Sequence, residues 1–378
     1  MCRINRVVLS KKSKEITSEL KGETKRDMEE FYDILKQLIR IPSVVGAEHP
    51  FFMFLKRELE ELGVSVEYYD GVLVAKGDKP ESGYLSSHAD RHGLFCTGHN
   101  EFQYAAFITK NRADLTGNSN AEQLLRNFTS RFVDEKVQAY EPWSGAYLGI
   151  GTIKEAFLCN RRKNIIFKVE GFDYLFPSTP IAFMDKLEFR GDIISAQLDN
   201  VISIAIMIYM YQIGYQGTAF FTASEEAGKS WRFLLEYFKR FDITTNELLV
   251  LDTSPYEKLE DIKAIDIVLR HRDSNAVFRS PLKEKIKKIA KKEGVRYHFK
   301  DTYLKEKMAK NGTKGSLGTT EMGRIIYATK GEIQGTTLQI PTIGYHTVNE
   351  TASTKSVESI IKVLKGLYIN EKAKEKAA

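Results

Sequence analysis

Five short segments of this chain each run an apolar stretch into an ionisable residue. They are Tyr84-Leu-Ser-Ser-His88-Ala-Asp90, Ser195-Ala-Gln-Leu-Asp199-Asn200, Phe220-Phe-Thr-Ala-Ser-Glu225-Glu226, Leu248-Leu-Val-Leu-Asp252 and Ile340-Pro-Thr-Ile-Gly-Tyr-His346. Imidazole nitrogen and carboxylate oxygen are the donors that divalent metal ions take. Ligand sites in α/β sheets gather beyond the carboxyl ends of strands. A single His or Asp after a strand is ordinarily a cap or turn residue. Five such places in one chain point instead to a metal centre. The spacing adds detail. His88 can ligate through one ring nitrogen while a nearby carboxylate, Asp90, fixes the tautomer through the other. Glu225 and Glu226 are adjacent, and neighbouring side chains at a strand end point different ways. One can bind metal while the other faces a substrate as a base, although a lone Glu-Glu pair usually marks an exposed helix start.

These residues need a scaffold that brings strand ends together. The first 26 residues read as a charged arm. From Asp27 a helix is expected, with Phe31, Ile34, Leu35, Leu38 and Ile39 at helical spacing, ended by Ile41-Pro42-Ser43. A second helix runs from about Pro50 through Leu62 to Gly63. Strands are expected over 64–69 and 72–75, turning at Asp70-Gly71, and over 84–87. Between Cys96 and about residue 190 the rhythm changes. Strand-like runs at 104–108, 146–153 and 164–169 flank a polar stretch from Asn111 to Asn120, which reads as an inserted β-rich domain. Beyond 190, strands at 218–222, 247–251, 264–269 and 339–345 alternate with helices at 201–213, 229–240, 282–293 and 356–370. That alternation implies a sheet with helices on both faces. The expected division is therefore an arm over 1–26, an α/β domain over 27–96 and 191–378, and an insert over 97–190.

Composition narrows the function classes. The chain has 378 residues, 42% hydrophobic and 28% charged, with a net charge of +6 and a pI near 8.9. The lysines are dispersed or interleaved with helical apolar spacing, as in Lys283 to Lys292, so the positive charge reads as a solvated surface and no nucleic-acid partner is expected. The longest apolar run, Val201 to Tyr211, is half of what a bilayer requires, so no membrane partner is expected either. Three cysteines, Cys2, Cys96 and Cys159, form no CxxC pair and suggest no disulfide framework. With no signal peptide legible, a cytoplasmic location is expected. His49, His92, His99, His271 and His298 read as surface or supporting residues, and Trp143 and Trp231 as packing residues. Lys314-Gly-Ser-Leu-Gly318 lacks the phosphate-loop spacing.

The five segments, in this order, resemble the co-catalytic metallopeptidases, and most closely the M42 family of glutamyl and tetrahedral aminopeptidases. The carrying motifs are His-x-Asp at 88–90, Leu-Asp-Asn at 198–200, Glu-Glu at 225–226, Leu-Asp at 251–252, and Ile-Pro-Thr-x-x-x-His at 340–346 with Glu350 beyond. Leu38-Ile-Arg-Ile-Pro-Ser43 has the flavour of the M20 dipeptidases and deacylases, but the long gap lies between Asp90 and Asp199, where M42 proteins carry an inserted β-barrel-like domain. The resemblance implies a three-layer α/β/α catalytic domain with a mixed sheet, plus that insert acting in dimerisation or larger assembly up to a dodecamer. It implies two divalent ions per subunit. Asp199 bridges them, His88 and Asp252 complete one site, and Glu226 and His346 the other. Glu225 is the general base, Asp90 orients His88, and the peptide after Asp199 is often cis. The sequence departs from the family in three places. Ala89-Asp90-Arg91-His92-Gly93 stands where Met-Asp-Glu-Ile-Gly is common. Asp199-Asn200-Val201 stands for Asp-Asn-Arg or Asp-Asp-Arg, and Gly318-Thr-Thr-Glu321 for a Gly-Thr-Asp motif.

The implied chemistry is hydrolysis of an N-terminal residue from a short peptide. Two metals roughly 3.5–4 Å apart would share a water and lower its pKa toward about 7, and Glu225 would take its proton and pass it to the leaving amine. Glu321 is a candidate for holding the substrate amine. Zinc is the expected metal, and cobalt or manganese also fits so oxygen-rich a set. Two alternatives stand beside this. One is an M20-like deacylase or dipeptidase acting on acylated amino acids. The other is a non-catalytic binding protein that kept the fold. An endoglucanase activity, a label some family members carry, does not need two histidines among the acids.

Overall fold

A computed structural model describes residues 28–110, 115 and 120–369. The charged arm over 1–26 and most of the polar stretch from Asn111 to Asn120 lie outside the described residues. The chain folds as a mixed α/β protein with a large mixed sheet and a closed six-stranded barrel.

The heart of the sheet is four parallel strands in the spatial order Thr218–Thr222, Tyr84–His88, Leu248–Pro255, Gly335–Ile343. The hairpin Ser65–Tyr69 and Val72–Lys76, turning through Gly71 at φ +76°, closes one edge in antiparallel fashion. On the other side Glu350–Ser353 runs antiparallel to Gly335–Ile343, and Ile193–Ala196 runs antiparallel to Glu350–Ser353. Two reversals restore the direction, so Ile193–Ala196 points the same way as the four central strands. All five of the segments picked out by their chemistry therefore end at one rim of the sheet.

The strands read as apolar runs because both faces are covered. Leu73, Ala75, Ala219, Phe221, Leu249 and Leu251 face one layer, and Val72, Val74, Phe220, Leu248 and Val250 face the other. The first layer holds residues 28–40 and the helices His49–Glu61, Val201–Gln212, Leu282–Lys292 and Thr354–Tyr368. Val201–Gln212 is apolar all round and buried from Val201 to Tyr211, which is why it shows no polar stripe. The opposite layer holds Ser230–Arg240 and Glu321–Ala328.

The barrel closes through Gly93–Gly98, Glu101–Tyr104, Asn164–Glu170, Tyr147–Cys159, Lys136–Tyr140 and Pro180–Phe183. Two local expectations fail here. The run 104–108 is not a strand: the strand ends at Tyr104, and Ala105–Thr109 turns helical to pack Ala105 and Ala106 inward. A helix between the strand-like runs, Ala121–Phe132, buries Phe128 and Phe132 in the barrel core beside Phe167, Ile153 and Val137. Its apolar positions, Leu124, Phe128 and Phe132, recur every four residues just past the polar stretch, so the signal was present. Elsewhere Leu248–Pro255 runs past Asp252, so this aspartate sits inside the strand rather than at its end.

Candidate metal centre

The strand Leu248–Pro255 pairs with Tyr84–His88 only through Val250. Past that point the two separate, and the crevice between them receives the site. His88 closes its strand, Asp252 follows the split, and Asp199 arrives on the loop after Ile193–Ala196. The His88 Nε2 lies 3.2 Å from an Asp199 carboxylate oxygen and 3.7 Å from one of Asp252. These three form one group able to hold a metal ion. Asp252 is fixed by its neighbours: Thr253 N–H donates to it at 2.7 Å, and the Asn200 amide, anchored on the Leu251 carbonyl at 2.8 Å, lies 3.4 Å away. The Asp199–Asn200 peptide is cis.

A second group lies beside the first and consists of Glu226, His346 and His92. The His346 Nε2 is 3.5 Å from Glu226 and 3.9 Å from the other oxygen of Asp199, so Asp199 faces both groups. His92 reaches Glu226 Oε1 at 3.0 Å, and its ring stands 3.9 Å from that of His346. His92 does not lie at the surface: its side chain is 3% exposed, beside Glu226 and His346 at the centre of the site. It was missed because its partners are remote in sequence: Glu226, His346, and Tyr104 of the barrel. His49 is half-buried, His99 and His271 are exposed and His298 is half-buried, all outside both groups.

Three acids brace the loops. Asp90 receives the backbone N–H groups of Glu225 and Glu226 at 2.9 and 3.0 Å, one on each oxygen. Its own backbone carbonyl lies 3.1 Å from His88 Nδ1, and its carboxylate 3.5 Å. The carbonyl therefore sets the histidine tautomer, and the carboxylate mainly holds the Glu-Glu turn. Glu350 accepts the N–H groups of Asp199 and His346, each at 2.8 Å, tying the two groups together. Glu48 accepts from Gly46 N and Ser224 N at 2.8 and 3.0 Å. Ser224 and His346 carry left-handed backbone, at φ +58° and +59°. Such conformations cost on the order of 1 kcal/mol or more in non-glycine residues, and the bracing acids hold them.

Electrostatics favour a cation here. Burial pushes Glu225 and Glu226 well above the usual carboxylate range, and neighbouring acids add to it. Burial opposes charge on His88, yet the carboxylates of Asp199, Asp252 and Asp90 outweigh it and raise its pKa. Burial lowers His92 to about 4 and His346 well below its ordinary value. Neutral imidazoles facing crowded carboxylates are a cation-binding arrangement. Among the described residues, the buried Nε2 atoms of both His92 and His346 lack a hydrogen-bond partner. Orphaned nitrogens that face carboxylates fit a bound metal ion.

Glu225 lies outside both groups and meets Arg324, Nη1 to Oε1 3.2 Å. Glu321, the candidate for the substrate amine, lies in the core. It is 3% exposed, and its two oxygens accept from Ser86 and Thr222 at 2.7 and 2.9 Å. The other departures also have local reasons. Arg91 is buried and donates to Ser43 and to the carbonyls of Ile39 and Ile41, completing the end of the helical residues 28–40. Thr320 caps Glu321–Ala328 by accepting from Gly323 N.

The family model described as M42 glutamyl aminopeptidase matches residues 173–363, which include Asp199, Glu225, Glu226, Asp252 and His346. The chain belongs to the M42 peptidase family. A search of the curated proteins finds no match. Among solved structures, a TET aminopeptidase from a Thaumarchaeota archaeon of marine sediment superposes with a TM-score of 0.67 at 15% identity, covering 93% of this chain and 99% of its own. An aminopeptidase from Desulfurococcus kamchatkensis gives 0.64 at 15% identity over 89% and 94%. The TET1 peptidase of Pyrococcus horikoshii, described as assembling into a tetrahedron or a large octahedral shell, gives 0.62 at 18% identity over 89% and 99%. At these identities the likeness concerns the fold. It fits an M42 peptidase with the mixed sheet and barrel described above.

Proposed function

We propose that this M42 peptidase is a two-metal aminopeptidase that removes N-terminal residues from short peptides. The observation that carries this reading is the pair of buried donor groups sharing Asp199, with Glu225 beside them and outside both. His88 and Asp252 hold one ion with Asp199; Glu226 and His346 hold the other. When bound, such ions supply Lewis acidity toward a scissile carbonyl and an acidified water, with zinc, cobalt or manganese all suited to the donors.

The chain's own residues do the rest. Glu225 accepts a proton at its carboxylate and returns it to the departing amine. Burial raises its pKa well above the usual carboxylate range, while His88 and Arg324 favour the charged form. Asp90 keeps the Glu225–Glu226 turn in place through two charge-assisted hydrogen bonds. Peptide substrate, cytoplasmic location and the division into an α/β domain and an insert over 97–190 belong to the same reading.

We further read the barrel as the surface that joins copies of this chain. Trp143, Tyr147, Leu148, Tyr174 and Phe176 of the insert are 48–71% exposed, and apolar groups gathered on one surface mark interaction sites. A light-scattering mass above that of one chain supports this, and a monomer at all concentrations opposes it.

A panel of aminoacyl-coumarins and their N-acetylated counterparts, assayed with and without chelator, tests the activity. Cleavage of free-amine substrates only, lost with chelator and restored by zinc or cobalt, is the expected result. Preference for the acetylated set would replace the aminopeptidase by a deacylase.

A further inference from the structure

We infer that His92 is a further protein ligand of the Glu226–His346 metal site, beside the shared Asp199. The inference rests on the two-metal reading above and adds a residue for which the family pattern has no ligand, isoleucine being common at this position.

The geometry is specific. His92 follows the strand Tyr84–His88 by four residues and precedes the first barrel strand, Gly93–Gly98. Its backbone carbonyl accepts from the Gln197 side chain at 2.9 Å. Its ring lies on Tyr104, whose hydroxyl meets Nδ1. Tyr104 is held in turn by Phe128, Phe107 and Phe132 of the barrel interior. The ring is thus gripped on its Nδ1 side and presents Nε2 to Glu226 and His346. The Nε2 atom lies 3.0 Å from Glu226 Oε1, and no hydrogen bond joins the two. His346 Nε2 is orphaned in the same way. Two buried imidazole nitrogens and a carboxylate that converge without bonding to one another share a common point, and a metal ion there satisfies all three. With Nδ1–H donating to the Tyr104 oxygen, the Nε2 lone pair is free to ligate. This is the usual way an outer partner fixes a ligating histidine.

The two groups then differ in their donors. With His92, the Glu226–His346 group would offer three protein donors beside the shared Asp199, whereas His88 and Asp252 alone would accompany Asp199 in the other. The Glu226 site is therefore expected to hold its ion more tightly.

The experiment measures metal affinity directly. Wild type, His92→Ala and His92→Phe are equilibrated with buffered zinc and analysed for bound metal. The cobalt forms are examined by proton NMR for the shifted ring N–H signals of metal-bound imidazoles. The phenylalanine variant keeps the ring packing on Tyr104 and stands in should the alanine variant not fold. Loss of an outer partner costs about 10–100-fold in affinity, so loss of this ligand is expected to weaken one of the two sites by at least about 100-fold. One imidazole signal disappears with it. Tyr104→Phe, which removes only the anchor, is expected to weaken the same site by about tenfold. Two sites of unchanged affinity and an unchanged signal count in the His92 variants would overturn the inference while leaving the two-metal reading intact. Failure of the wild type to bind metal would overturn both.

Discussion

The His88 half of the candidate centre and the His92 half are built by different means. The first stands on the sheet itself. His88 and Asp252 sit on adjacent parallel strands that separate after Val250, and Asp199 follows a third strand pointing the same way. The second stands on loops and on the barrel. Glu226 lies past a left-handed Ser224, His346 is itself left-handed, and His92 is gripped by Tyr104. Asp252 is held by its strand neighbour Thr253 and the Asn200 amide, whereas the loop ligands rely on Asp90, Glu350 and Glu48 to hold the backbone. Altering these bracing acids should therefore touch metal retention and stability, and altering Glu225, which lies outside both groups, should touch the chemistry.

The largest expected effect separates chemistry from binding. Glu225→Gln leaves both donor groups complete and is expected to retain full metal content while kcat falls by at least about 100-fold, the lower bound for losing a general base. Near-normal turnover in this variant removes Glu225 from the role.

Asp90→Asn comes next and loads the difference onto the loop half. His88 keeps the Asp90 backbone carbonyl, but one of the two N–H groups of the Glu225–Glu226 turn loses its acceptor. A cost of about 1–3 kcal/mol in stability is expected, seen as a lowered Tm, with metal leaving the Glu226 site first. Equal loss from both sites would show that Asp90 serves His88 as much as the turn.

Glu48 lies under the same turn. Burial, helped by the nearby Asp90 charge, raises its pKa from the usual 4.5 to about 7. The folded state therefore holds a proton that the unfolded chain releases. Its stabilising effect is complete below pH 4.5 and is lost as pH rises to about 7. Glu48→Gln keeps an acceptor for Gly46 and Ser224 without titrating. It is expected to exceed wild type in stability by about 3 kcal/mol well above pH 7, with no difference at pH 4. Parallel stability curves for the two proteins would refute this.

The smallest effect concerns Arg324, which touches Glu225 and neither metal group. Arg324→Met removes a charge that favours ionised Glu225, so the acidic limb of the pH–kcat/KM profile should move to higher pH with metal content unchanged. A stationary limb would mean that Arg324 does not tune the base.

The same contrast explains what was legible in the sequence. Apolar strands that end in His or Asp announce themselves, because the run buries both faces and the ionisable residue marks where burial stops. His88, Asp199, Glu225, Glu226, Asp252 and His346 were legible in that way, and the structure gathers them at one rim. The alternation of strands and helices likewise gave the layered α/β architecture. His92 was not legible, since a histidine between two strands has no local signature and its partners arise from the barrel and from two distant loops. The burial of Glu321 was not legible either: Ser86 and Thr222, remote in sequence, donate to both of its oxygens inside the core. The helix Ala121–Phe132, just past the polar stretch, was passed over although its phenylalanines lie at helical spacing.

Elemental analysis of the purified wild-type protein after equilibration with zinc, paired with turnover of a free-amine aminoacyl-coumarin on the same sample, tests the central claim most directly. The account predicts two ions per chain and activity that rises with metal occupancy. A chain that binds no metal, and cleaves nothing after zinc or cobalt is supplied, contradicts it.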